Sequence, residues 1–208
     1  MPRSDRDDFA PETDRTGKPT LATFAAAAML AVLYVGLLAL MARPVDEFVL
    51  RSPDFAPGDR LPERLALSGY GCVGDNESPT LVWRGAPATT RSFAVTMHDP
   101  DAPGGEGWWH WIVVDVPADR VGLPTGAPDA KPADWPARAR ELRADFGVPG
   151  YGGPCPPAGA LHRYVLTVYA LANEATEIPA DVPAAAIGRF LRASALAKAE
   201  LTGVYSRP

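Results

Sequence analysis

The chain has little of what several large function classes require. It carries 20 Lys and Arg against 25 Asp and Glu, a formal net charge of −5. It therefore lacks the basic excess through which counterion release drives association with DNA or RNA, which argues against a nucleic-acid partner. Cysteine is limited to Cys72 and Cys155, and histidine to His98, His110 and His162. Neither a Cys-x-x-Cys nor a His-x-x-x-His spacing occurs, so the usual signs of a zinc site are missing and no metal or cofactor is implied. A Gly-x-Ser-x-Gly elbow is also absent. There is no internal repeat. Finally, the stretch from Leu21 to Ala42 has no charge at all.

That last absence is informative. A helix over these 22 residues would be roughly 33 Å long at about 1.5 Å per residue, against a hydrocarbon core of about 30 Å. Its Leu, Val and Phe side chains each favour insertion by roughly 0.3 to 0.6 kcal/mol with no charge opposing them. A cleaved leader has an apolar region of about 7 to 15 residues, shorter than this one, and Leu40-Met41-Ala42 is a poor small-x-small cleavage site. Residues 21–42 thus read as a single transmembrane anchor, with a cleaved leader or a buried helix as the lesser alternatives. Arg3, Arg6, Arg15 and Lys18 precede the segment and Arg43, Arg51 and Arg60 follow it. This narrow bias favours an N-terminus inside and a C-terminal domain outside the cytoplasm. Residues 1–20, polar and of mixed charge, read as a disordered tail. Residues 43–57 read as a linker, and 58–208 as one domain of about 150 residues, long enough to bury roughly two-thirds of its unfolded surface.

Most of the 23 Pro and 19 Gly lie beyond Pro44, which suits short strands joined by turns. Period-two patterns predict strands at Leu65 to Leu67, Leu81 to Trp83, Ser92 to Met97, Trp109 to Val116 and Tyr164 to Leu171. In Ser92 to Met97, the residues Phe93, Val95 and Met97 share one face, as in a half-buried strand. Pro183 to Leu201 has helical spacing after a Pro-marked start and predicts one C-terminal helix, with Val204-Tyr205 as a last strand. Trp135 to Arg143 predicts a short surface helix. The fold class is mainly β.

All three histidines fall in two short segments dense in Pro, Gly and aromatic residues. The first runs from His98-Asp99-Pro100-Asp101-Ala102-Pro103 through a Gly-rich turn to Trp108-Trp109-His110-Trp111. The second runs from Tyr151-Gly152-Gly153-Pro154-Cys155-Pro156-Pro157 to His162-Arg163-Tyr164. Loops fixed by proline and glycine can present N–H groups and side chains to a ligand at little ordering cost. Structural roles compete at three positions. His98 alternates with Thr96 and suits a polar strand position, Trp109 and Trp111 alternate away from His110 into the core, and Arg163 alternates away from His162 and Tyr164, where an ion pair would serve as well as a ligand contact.

These segments resemble the phosphatidylethanolamine-binding protein family, in particular its bacterial Raf-kinase-inhibitor-like branch. The resemblance runs from about Gly58 to Tyr205 and includes Ser78-Pro79-Thr80-Leu81-Val82-Trp83, Ser92-Phe93-Ala94-Val95-Thr96 and Asp145-Phe146-Gly147. It implies a β-sandwich built on a large antiparallel sheet. It also implies a pocket for phosphate, acetate or a phospholipid head group, lined at Asp99, Pro103, Trp108, His110, Gly153, Pro156, His162 and Tyr164. Ala160-Leu161 departs from the family pattern before His162, and Lys131 to Arg143 looks like a local insertion. Asp99 beside an anion is unfavourable unless the ligand is zwitterionic and turns its ammonium toward it, or unless Asp99 orients a histidine. Either arrangement predicts that anion affinity rises as pH falls through the ordinary histidine range near 6.5. Cys72 and Cys155 form an even pair that can bridge in an external domain or remain two thiols. The expected function is non-catalytic binding of a phosphate-like or zwitterionic head group. The alternatives are a regulator or inhibitor of an envelope protease or other protein partner, and a hydrolase using Cys155 or Ser78 with a histidine base.

Overall fold

A computed structural model of the chain describes residues 47–126, 131–179 and 181–207, together with Met29, Val32 and Tyr34. The expected tail (1–20) and nearly all of the expected anchor (21–42) lie outside the described residues. Among the described residues no helix is long and apolar enough to cross a membrane. The chain divides into two units, Met1–Val45 and Asp46–Pro208, and every strand among the described residues lies in the second.

In chain order its elements are β1 (Val49–Arg51), β2 (Ser68–Gly69), β3 (Cys72–Val73), β4 (Leu81–Arg84), β5 (Ser92–Asp99), β6 (Trp108–Pro117), β7 (Gly122–Leu123), β8 (Arg140–Glu141), β9 (His162–Leu171), α1 (Ala184–Ser194) and β10 (Ala195–Tyr205). Five of these strands form an antiparallel sheet in the order β10-β9-β5-β6-β8, β1-β4-β7 form a second sheet, and β2-β3 form a small hairpin. The large sheet is covered on both faces. Phe93, Val95, Met97, Trp111, Leu166 and Val168 pack against Leu50, Leu81, Trp83 and Leu123 of the second sheet. On the other face Ala94, Trp109, Ile112, Val114 and Tyr169 pack under Ile187 and Leu191 of α1. The fold is mainly β, as the sequence pattern predicts.

Four local expectations are corrected. The linker expected at 43–57 belongs to the fold from residue 47, because β1 pairs with β4 and Leu50 and Phe55 enter the core. Ser92 to Met97 is buried on both faces rather than half-buried, since β5 lies in the middle of a sheet covered on each side. Leu65 to Leu67 is not a strand: Glu63–Leu65 makes a single 3-10 turn. Trp135 to Arg143 is not a helix either. Trp135 leaves a turn to pack on Trp111, with ring centroids 6.3 Å apart, and Arg140–Glu141 extends the sheet as β8.

The C-terminal helix is shorter than expected. In α1 the buried residues Ala184, Ile187, Gly188 and Leu191 repeat at one face, and Gly188 lets the Trp109 ring lie directly on the helix backbone. At Ala195 the backbone becomes extended, and from there Ala199, Leu201, Gly203 and Tyr205 alternate inward with Lys198 and Glu200 outward. This strand covers the edge that β9 would otherwise expose.

Candidate functional site

The two Pro- and Gly-rich segments meet at the end of the large sheet. Asp99 ends β5, Trp108 opens β6 opposite it, and His162 opens β9. A β-bulge then aims His110. Met97 faces Trp111 while the next residue, His98, faces Trp109, so His110 is the extra residue. The bulge breaks the expected alternation. Trp109 joins the helix-side core and Trp111 the opposite core, instead of sharing a face. The His110 ring stands edge-on to Tyr164 at 5.2 Å and to Phe146 at 5.4 Å between centroids.

Between these elements lies a cavity of about 500 Å³. Seven of the residues expected at the pocket line it: Asp99, Pro103, Trp108, His110, Pro156, His162 and Tyr164. Gly153 does not. Its N–H donates to Asn76 Oδ1 at 2.7 Å, and any Cβ there would strike the Leu65 carbonyl, so this glycine permits a close chain crossing rather than a ligand contact. Leu67, Tyr70, Ala102, Asp145, Phe146, Cys155 and Pro157 complete the wall. The Asp145-Phe146-Gly147 motif was a readable signal for two of these, whereas Tyr70, at the tip of a two-residue turn, leaves no periodic trace in the sequence.

The polar groups are already ordered. His162 Nδ1–H donates to Asp99 Oδ2 at 2.7 Å, while Asp99 Oδ1 accepts the Asp101 N–H at 2.8 Å. Of the two arrangements open to Asp99, the structure contains the one in which it orients a histidine. His110 Nδ1–H donates to the Gly152 carbonyl at 2.7 Å, which leaves Nε2 as an acceptor on the neutral ring. Burial holds His110 down at about 4, against the partial opposing effects of the Gly152 carbonyl and the Asp99 charge. The unliganded His110 ring is therefore neutral through the range near pH 6.5 in which anion affinity is expected to rise. Tyr164 is fully buried, and burial followed by the nearby Asp99 charge raises its phenol above the usual range, so it stays protonated. Its hydroxyl has no hydrogen-bond partner among the described residues.

Around this set the frame is tied down. Arg163 grips Asp101 through Nη2 to Oδ1 at 2.6 Å and Nε to Oδ2 at 2.9 Å, and its side-chain hydrogen bond holds the Asp101 carboxyl down to about 2. Arg163 thus makes an ion pair behind the pocket. His98 stays out of the cavity, bonded through Nε2 to the Glu106 carbonyl at 3.0 Å and stacked near Trp109. Cys72 of β3 and Cys155 of the cavity wall are joined as a disulfide. It fixes the β2-β3 hairpin, whose tip carries Tyr70 in a left-handed conformation (φ 53°), against the pocket rim. Arg207 reinforces this tie by donating to the Pro156 and Gly71 carbonyls.

The family model described as phosphatidylethanolamine-binding protein matches residues 51–206. The UPF0098 protein YbcL of Escherichia coli K12 is 43% identical over 159 residues, spanning 76% of this chain and 87% of its own length. The UPF0098 protein YbhB of the same organism is 45% identical over 157 residues, spanning 76% and 99%. The crystal structure of E. coli YbcL, described as a new member of the mammalian PEBP family, superposes with a TM-score of 0.73 over 78% of this chain and 99% of that one. A PEBP homologue from Chlamydia trachomatis, CT736, gives 0.65 at 28% identity, again over 78% and 99%.

Proposed function

The chain belongs to the phosphatidylethanolamine-binding protein family, and from that premise we propose that its pocket binds, without turnover, the phosphate of a phospholipid head group or a similar small anion. One observation carries this reading most: Tyr164 lines the cavity, and its buried, protonated hydroxyl has no partner among the described residues. A buried donor left unmade costs about 1 to 3 kcal/mol, and a bound anion oxygen recovers it. His162 adds a second donor in its protonated form, with Asp99 balancing the charge. The candidate nucleophiles support binding over hydrolysis, since Cys155 is held in the disulfide and the Ser78 hydroxyl accepts the Gly126 N–H outside the cavity wall. We also propose that residues 21–42 anchor the chain in a membrane with the domain on the extracytoplasmic side, where disulfides persist.

Calorimetric titration of the full chain with inorganic phosphate and with phosphoethanolamine tests the pocket. Both ligands are expected to bind, and Tyr164→Phe and His162→Gln each to weaken them about tenfold or more, the scale of a lost hydrogen bond to a charged group. Unchanged affinity in both variants would overturn the assignment.

A further inference from the structure

We propose that Asp145 and Trp108 form a cation subsite at the mouth of this pocket, taking the primary ammonium of a ligand whose phosphate rests on Tyr164 and His162. The proposal depends on the head-group reading and extends it to the other end of the ligand. Its starting point is the charge of the wall. Among the described residues the cavity is lined by two carboxylates, Asp99 and Asp145, and by no lysine or arginine. Asp99 is 3% exposed, and each of its oxygens already holds a donor, from His162 and from the Asp101 backbone. Asp145 is different. It is exposed, and no ion pair among the described residues engages it. Its Oδ2 accepts the Trp109 N–H at 2.7 Å, and its own N–H donates to the Trp109 carbonyl at 3.1 Å. The carboxylate is thereby fixed beside the peptide that joins Trp108 to Trp109, with Oδ1 carrying no hydrogen bond among the described residues. The Trp108 indole is 37% exposed and is held edge-on by Phe146, the residue after Asp145, at 5.5 Å between centroids. A carboxylate with a free oxygen and an open indole on the wall of one cavity suit an alkylammonium, which can gain a charge-assisted hydrogen bond and a cation–π contact together. A purely anionic ligand meets an unbalanced negative charge at the same place.

Titration of the full chain with inorganic phosphate, phosphoethanolamine and ethyl phosphate separates the two ends. Phosphoethanolamine is expected to bind about threefold to fivefold tighter than ethyl phosphate, the scale of a solvent-exposed ion pair, with the difference shrinking as salt rises. Asp145→Asn, which can still accept the Trp109 N–H, is expected to abolish that preference while leaving inorganic phosphate affinity equal or slightly higher. Trp108→Ala is expected to reduce the preference in part. Equal affinity of the two esters for the unaltered protein, or an equal loss of all three ligands in Asp145→Asn, would overturn the subsite and leave the phosphate site standing. Failure of every ligand to bind would overturn the head-group reading and the subsite with it.

Discussion

Tyr164 carries a hydroxyl that has no partner among the described residues, and this gives the pocket a testable signature in the absence of ligand. Removing a buried polar group that has no partner relieves its desolvation penalty, so Tyr164→Phe is expected to raise the unfolding free energy by about 1 kcal/mol. A stabilising change that also weakens phosphate binding would be hard to explain if Tyr164 were only a core residue. Urea denaturation of the unliganded full chain checks the first half, and a loss of stability in Tyr164→Phe would mean that the hydroxyl is satisfied after all. Much at this scale was legible. The clustering of His110, His162 and Asp99 with proline and glycine pointed to the cavity, and alternation favoured a structural place for His98 while leaving Arg163 open between an ion pair and a ligand contact. Gly153 was misassigned because its small size serves a backbone crossing at Leu65, and a single sequence does not reveal which neighbour a glycine makes room for.

Among the elements, the least legible were those decided by tertiary pairing. Ala195, Ala197 and Ala199 suit a helix by propensity, yet they lie in β10, because β9 needs a partner along its outer edge. The bulge at His110 is equally hidden, since an extra residue in a strand leaves the composition of the strand unchanged while moving every later side chain to the opposite face. The β2-β3 hairpin is two residues per strand, too short to hold itself on the rim. Its attachment rests on the Cys72–Cys155 bond, which closes a separation of 83 residues. Chain-entropy arguments give a loop of this size about 4.5 kcal/mol, with measured values often lower. Cys72→Ser/Cys155→Ser is therefore expected to lower the unfolding free energy by about 2 to 4 kcal/mol. Phosphoethanolamine affinity should fall as well, as Tyr70 leaves the cavity mouth. An unchanged denaturation midpoint would show that Arg207 and the backbone bonds hold the hairpin alone.

For the whole molecule, the two-sided burial of the large sheet has an electrostatic consequence through His110. The bulge carries this imidazole inward, and burial lowers it from 6.5 to about 4. As pH falls below about 6.5 the unfolded chain takes up this proton while the folded chain does not, so stability falls with pH until the folded ring protonates near 4. The depression corresponds to about 3 kcal/mol, present in full above 6.5 and gone at 4. Asp101, held down to about 2 by Arg163, acts in a separate window: its contribution is complete above about 3.8 and disappears as pH approaches 2. The urea midpoint of the full chain is therefore expected to decline between pH 6.5 and 4, and His110→Gln to flatten that decline without altering the fall below 3.8. An anion in the cavity favours the charged ring, so saturating phosphate should shallow the slope as well, and an NMR titration of the His110 ring should show its midpoint moving upward from about 4. If the variant keeps the parent slope, the acid sensitivity originates elsewhere, and the buried neutral histidine is not what couples the pocket to the stability of the fold.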